Sequence, residues 1–272
     1  MAGLPDILFI AGFPRSGTTW TAQAVSTALD VPLLFEPFNW SMNPGGNPYQ
    51  MRYLPAGADD WQHGKVLRDA LRNPRFRDAD KVVVKDVHAL LALGLIADRF
   101  PVRSMVTLVR HPCPVAASWS RLDWSAGDAI GRLLDQPEAV ESHLAPHVEH
   151  LESCRSDPWR ALGAYWGATY LLLTELDAQD RIIRHEDLCA EPVAELSSIA
   201  RGIGSPANEE RLVAYLGEHD RESDQSPTSF HTYRPTAAIG DRWRATMDRA
   251  VALTVWEASE PFGVAERWYD AP

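Results

Sequence analysis

Two stretches of this 272-residue chain carry residue types and spacings suited to gripping phosphate-like anions. The first is Gly12-Phe13-Pro14-Arg15-Ser16-Gly17-Thr18-Thr19, lying between an apolar run and a helix-compatible stretch. Backbone N–H groups at such a turn, and at the helix N-terminus that follows, form an anion site favoured by the helix dipole. The hydroxyls of Ser16, Thr18 and Thr19 add donors, and Arg15 supplies the loop's cation. The spacing is that of a P-loop, except that Thr18 stands where a Walker A motif has lysine. Lack of that lysine argues against an ATPase or GTPase and suits a loop that binds one terminal phosphate. The second stretch is Leu108-Val109-Arg110-His111-Pro112-Cys113-Pro114-Val115-Ala116-Ala117-Ser118. It puts Arg110 at a strand's carboxyl end and Ser118 inside the next helix. A guanidinium holds a phosphate bidentately and a hydroxyl adds one further bond.

The elements that must position these residues alternate. Apolar runs predict strands over 6–11, 31–35, 81–84 and 104–109, with helices over 18–29, 89–99 and from 115 to 122. Such alternation implies βαβ units and a parallel sheet, whose ligands sit beyond the carboxyl ends of the strands. Residues 39–60, rich in Pro, Gly and Asn, read as a long binding loop or lid. Beyond residue 127 the chain reads as mainly helical to 176, with a short strand over 181–184 and helices over 191–201, 208–217 and 241–259. Residues 218–240 read as loop. The expected fold class is α/β, a central parallel sheet flanked by helices with helical insertions, and the whole of 1–272 is read as one domain.

Composition narrows the function. A net charge of −11 argues against a general nucleic-acid binder, which needs a basic face, but not against a small anionic ligand held by a few focused arginines. The longest apolar run, 89–97, falls well short of the ~20 residues that span a bilayer, so no membrane partner is expected. No basic residue precedes the first apolar stretch, so a secretory signal is not expected and a cytoplasmic protein is; the acidic charge and lack of an anchor favour a bacterial one. Three cysteines without CxxC spacing do not form a zinc site or a disulfide framework. His143, His147 and His150 have helical spacing, but without an HExxH pattern they read as a solvated helix face and no metal is expected.

Taken together, the two anion motifs resemble those of sulfotransferases. Pro14-Arg15-Ser16-Gly17-Thr18-Thr19-Trp20 is similar to that family's 5′-phosphosulfate loop, and Arg110 through Ser118 to its 3′-phosphate motif, with the same Arg-to-Ser spacing. Arg184-His185-Glu186-Asp187-Leu188 resembles the family's Tyr-Glu-Asp-Leu stretch with His185 in place of tyrosine. Ile239-Gly240-Asp241-Arg242-Trp243-Arg244 resembles its late Gly-x-Trp-basic segment, whereas the Arg-Lys-Gly triplet of cytosolic members has no counterpart; Arg234 is the charge nearest in kind.

The resemblance implies a P-loop-NTPase-like sulfotransferase fold and 3′-phosphoadenosine-5′-phosphosulfate (PAPS) as donor, with PAP as the desulfated product and no metal. The phosphosulfate falls to Arg15, Ser16, Gly17, Thr18, Thr19 and Trp20, and the 3′-phosphate to Arg110 and Ser118. Sulfuryl transfer, like phosphoryl transfer, is in-line displacement catalysed by positioning and charge stabilisation. Lys85, at a strand end, is placed to bind sulfuryl oxygens or protonate the leaving group. Glu36 is the expected base. It ends the second strand, 21 positions after Arg15, and resembles the base of tyrosylprotein-type members, a glutamate similarly placed after the Arg-bearing loop; its neighbours Phe35 and Phe38 are expected to raise its pKa. His88 is the competing base, because cytosolic members use a histidine two residues after a lysine; here it follows Lys85 by three. A nucleotide-dependent phosphotransferase, with Val82-Val83-Val84-Lys85-Asp86 as a degenerate Walker B, and a non-catalytic PAP-binding protein are the alternatives. For the acceptor, Trp40, Tyr49, Tyr53 and Trp61, and the helical Trp119, Trp124, Trp159, Tyr165 and Trp166, suggest an aromatic wall for a phenol, a lipid or a carbohydrate.

Overall fold

The computed structural model describes residues 3–39, 50–176, 181–222 and 242–272. The chain forms two compact units, residues 1–109 with 178–240, and residues 110–177 with 241–272.

The first unit is built on five parallel strands: β1 (Asp6–Gly12), β2 (Leu33–Phe35), β3 (Lys81–Lys85), β4 (Val102–Val109) and β5 (Arg181–Arg184), in the order β2-β3-β1-β4-β5. The chain leaves β1 toward β2 on one side and leaves β4 toward β5 on the other. The carboxyl end of β1 is therefore at the topological switch point, where open α/β sheets bind ligands. Leu8, Ile10, Val83, Val106, Leu108 and Ile183 make one face of the sheet apolar. They pack against Ala22 and Val25 of the Thr18–Leu29 helix and Leu196, Ile199 and Ala200 of the Pro192–Arg201 helix.

The strand and helix order follows the sequence pattern, with local differences. β2 is shorter than its apolar run because Val31 is spent on the preceding turn. Its N–H donates to the Ser26 carbonyl at 3.2 Å, and its carbonyl accepts from Ser26 Oγ at 2.7 Å. The expected helix over 89–99 opens as a 3-10 turn, Leu90–Ala92, before the α-helix Leu93–Arg99. Residues 40–49 of the expected lid, with Trp40 and Tyr49, lie outside the described residues, and residues 50–60 carry no helix or strand. At Asp60 the side chain accepts the N–H of His63 at 3.1 Å and starts a helix, Trp61–Leu71, that periodicity had not revealed. The helix Glu209–Glu222 outruns its expected end at 217; the rest of the loop read over 218–240 lies outside the described residues.

In the second unit the helix after Arg110 begins at Pro112, not at 115. His111 Nδ1 accepts the Cys113 N–H at 3.2 Å as an N-cap, and proline at the first helical position costs no hydrogen bond. The expected closing helix is two, Arg242–Thr246 and Arg249–Ser259, because Asp248 caps the second through the N–H of Ala250 at 2.7 Å. The central helix Pro158–Leu176 meets Arg249–Ser259 closely enough that a Cβ on Gly163 would stand 2.0 Å from the Val255 carbonyl oxygen. Tyr165 and Trp166 fill this core, and Trp119 is buried edge-on to both Tyr165 and Trp124. Only Trp124 among the large aromatics of this unit stands well exposed. His147 and His150 are not simply solvated: both rings pack on Phe262, and His150 Nε2 bonds the Ala258 carbonyl at 2.9 Å. No helix among the described residues is long and apolar enough to cross a membrane.

Candidate active site

The loop after β1 turns on two left-handed residues, Arg15 (φ 78°) and Gly17 (φ 86°). A non-glycine residue in this region costs energy and occurs mostly where function needs the geometry. Alternation of left-handed with ordinary backbone turns successive N–H groups inward, the concavity that holds anions. Ser16 is fully buried, and its hydroxyl makes no hydrogen bond among the described residues. A buried hydroxyl without a partner is costly and points to a ligand atom that completes it. Gly17 serves a second purpose, since a Cβ there would stand 2.4 Å from His185 Nδ1. The Arg184-His185-Glu186-Asp187-Leu188 segment, at the junction of β5 with the helix His185–Ala190, thus backs the phosphate loop. Thr18 is buried against Gly12, Thr19 is half-buried, and Trp20 lies in the sheet–helix core.

A second group of side chains gathers at the carboxyl ends of β2 and β3. Lys85 Nζ, almost completely buried, bonds Glu36 Oε1. Asn39 Nδ2 donates to Glu36 Oε2 at 2.7 Å, and His88 Nε2 lies 3.9 Å from the same oxygen. Glu36 is itself left-handed (φ 46°), and its N–H donates to the Lys85 carbonyl at 2.7 Å. The Phe35 ring, 48% exposed, covers Lys85, with Nζ 4.6 Å from its centroid. Asp86, fully buried, accepts N–H groups from Phe38 at 2.8 Å, His88 at 2.7 Å and Ala89 at 3.2 Å.

The electrostatics differ from the expectation drawn from Phe35 and Phe38. Burial pushes the Glu36 carboxyl up, but the charge and hydrogen bond of Lys85, with help from Asn39 and His88, hold it below its ordinary value. Glu36 is therefore a carboxylate at neutral pH. Burial lowers the Lys85 pKa, opposed by Glu36 and Asp86 and pressed further down by the charge of Arg15. His88 is lowered by burial, with Glu36 opposing and Lys85 adding to the effect. Arg15, Glu36, Lys85 and His88, four residues singled out from sequence, thus interact within one site. Asn39 carried no signal in the sequence, and Asp86 was legible only as the end of a degenerate Walker B. A charged residue placed directly after a strand-end lysine was the available signal for Asp86.

Arg110 and Ser118 lie in the second unit, at the start and toward the end of the helix Pro112–Ser120. The Arg110 carbonyl accepts Trp166 Nε1–H at 3.1 Å, which anchors the residue to the central helix. Ser118 is buried. His111 stacks within 4.6 Å of Trp243, and the Arg244 guanidinium lies 4.6 Å over the Trp243 ring. Two segments singled out separately in the sequence, 110–118 and the Trp243-Arg244 pair, are therefore neighbours. Residues 239–241 of the late segment, and Arg234, lie outside the described residues.

A strand–turn–helix loop at the switch point, with a carboxylate–lysine pair on the adjoining strand ends, is an arrangement of the P-loop type. Comparison with known proteins agrees: a family model for the sulfotransferase domain matches residues 5–237, and the chain belongs to that family. The fold is similar to "Sulfotransferase Domain from the Curacin Biosynthetic Pathway" (TM-score 0.54, 15% identity, 100% of each chain covered). It is also similar to "Sulfotransferase Domain from the Synechococcus PCC 7002 Olefin Synthase" (TM-score 0.52, 19% identity, 98% of this chain and 96% of that one). The α/β sulfotransferase fold expected from the sequence is thus the fold found. A search of curated protein sequences returned no match.

Proposed function

We propose that the protein transfers a sulfuryl group from PAPS to the hydroxyl or amine of a small molecule or carbohydrate. The carrying observation is the meeting of Glu36 and Lys85, both held at strand ends, with an anion loop whose arginine acts electrostatically on that lysine. The buried Ser16 hydroxyl and the left-handed turns at Arg15 and Gly17 fit a phosphosulfate. The site's positive charge sits on Arg15 and Lys85, and the loop lacks the Walker A lysine, which favours a sulfuryl over a nucleoside-triphosphate donor.

In this reading PAPS supplies the electrophilic sulfur and the phosphate leaving group. The loop N–H groups, Ser16 and Arg15 bind the phosphosulfate, and Arg15 neutralises charge gathering on the leaving phosphate oxygen. Arg110 and Ser118 bind the 3′-phosphate, by the likeness of their segment. Glu36, ionised, takes the acceptor's proton as the new O–S bond forms and the S–O bond to phosphate breaks. Lys85 has two duties. While paired with Glu36 it holds the base ionised; once drawn to the donor's oxygens it stops stabilising the carboxylate, and Glu36 becomes more basic when the proton must be taken.

Calorimetric titration tests the donor class. PAP should bind tightly without metal and ATP with magnesium weakly. Tight magnesium-dependent ATP binding with no response to PAP would put the phosphotransferase in its place, and PAP binding without turnover of labelled PAPS on any phenol, alcohol or sugar offered would favour a binding protein.

A further inference from the structure

Asp86 has no place in the chemistry just described, yet it is fully buried between the two turns that carry the chemistry. One of its oxygens accepts the N–H of Phe38, in the turn after β2, and the other those of His88 and Ala89, in the turn after β3. The turn after β2 is also tied to the end of β3 by the Glu36 N–H to the Lys85 carbonyl at 2.7 Å and by Lys85 Nζ to Glu36 Oε1. Glu36 sits in a left-handed conformation that a glutamate does not adopt unless held there. The next turn residue but one is Phe38, whose N–H the Asp86 carboxylate takes. The same carboxylate holds the backbone of His88, whose ring reaches Glu36.

We propose that Asp86 is a positioning residue, whose carboxylate clamps the Glu36–Phe38 turn to the His88–Ala89 turn and so sets the base and its histidine neighbour around Lys85. The role needs both carboxylate oxygens as acceptors. Asparagine offers one acceptor and turns an NH₂ group toward at least one backbone N–H, so it breaks one side of the clamp while keeping the volume. Burial pushes the Asp86 carboxyl up to about 7, with the N–H groups of Phe38 and His88 pulling down, Glu36 adding upward and Lys85 downward. An apolar side chain here would leave the N–H groups of Phe38, His88 and Ala89 without this acceptor, which fits a positioning duty better than a packing one.

The inference rests on the sulfotransferase reading for its catalytic consequence, but not for its geometric one, and the test separates them. In Asp86→Asn, kcat for labelled PAPS with 4-nitrophenol should fall about tenfold or more, because small displacements of reacting groups cost that much. KM for PAPS and the affinity for PAP should stay within about twofold, because the loop after β1 is untouched. The His88 imidazole, followed by NMR, should move toward an unperturbed titration and lose its response to Glu36→Gln. A variant that keeps both kcat and the His88 titration overturns the proposal, as does one that loses kcat with the His88 titration intact. If wild-type protein neither binds PAP nor uses PAPS, the functional reading fails while the His88 titration still decides the clamp. Should Asp86→Asn not fold, the backbone amides of wild-type Phe38, His88 and Ala89 decide it. They should shift with pH at one shared midpoint, and three independent responses would remove the clamp.

Discussion

The loop after β1 and the turn after β2 make the same local sacrifice and end in opposite states. Each holds a charged residue in left-handed backbone, Arg15 at φ 78° and Glu36 at φ 46°. In the first, the left-handed residues flank a buried serine whose hydroxyl makes no hydrogen bond among the described residues. In the second, the strained residue is already engaged by Lys85 and Asn39, with His88 beside it. One presents a buried hydroxyl that a bound group could complete; the other is a set of side chains already bonded to one another. Strain alone therefore does not mark what a site does. What the strained residue's neighbours lack, or already have, marks it.

The sharpest way to break this comparison is at the closed set. Glu36→Gln should lower turnover of labelled PAPS by about 10²–10⁴, the range for loss of a general base, with PAP affinity unchanged by calorimetry. Retained turnover would move the base to His88. Next in size is Gly17→Ala, which puts a methyl 2.4 Å from His185 Nδ1 at a backbone angle alanine avoids. PAP affinity should drop about 100-fold, while the NMR titration of His88 stays as in wild type, showing the two regions to be separable. A smaller effect is expected in the pH profile. Lys85 loses its proton below its ordinary value of 10.5, so activity should decline on the alkaline side before that pH. Lys85→Arg, whose guanidinium stays charged above pH ~12, should carry that decline upward while lowering kcat. The acid limb should fall below the ordinary Glu36 value of 4.5, because the ion pair favours the charged form. Smallest is Ser16→Ala. It should weaken PAP binding about 5- to 10-fold, for one lost hydrogen bond, and raise Tm slightly by removing a buried hydroxyl that lacks a partner.

Much of this was legible in the sequence. The GxxxxG spacing and the Arg110-to-Ser118 spacing are local patterns, and the strand–turn–helix connection read around the first is found between Gly12 and Thr18. The strands were legible because a parallel sheet buried on both faces writes itself as continuous apolar runs, as in Ile7–Ile10 and Val82–Val84. What stayed hidden depends on partners distant along the chain. The pKa of Glu36 was expected to rise from its aromatic neighbours in sequence, yet it is set by Lys85, 49 residues away. Phe35, read as part of an apolar surround, instead covers the lysine with its exposed ring. Asp86 looked like the acid of a degenerate Walker B, because nothing local shows that Phe38, 48 residues earlier, needs an acceptor. The role of Gly17 as the seat of His185 was equally invisible.

Among the described residues β2 is an edge strand of three residues, paired with β3 alone. So few ladder bonds hold a register weakly, and a slip by one position would present Phe35 in place of Glu36 to the lysine. The links from Lys85 and Asp86 to this turn act as a latch on that edge. Active sites commonly weaken the fold that carries them. In the proposed reaction the residues that work are also those that fasten this short edge strand, so correct pairing of β2 is a condition of reacting at all.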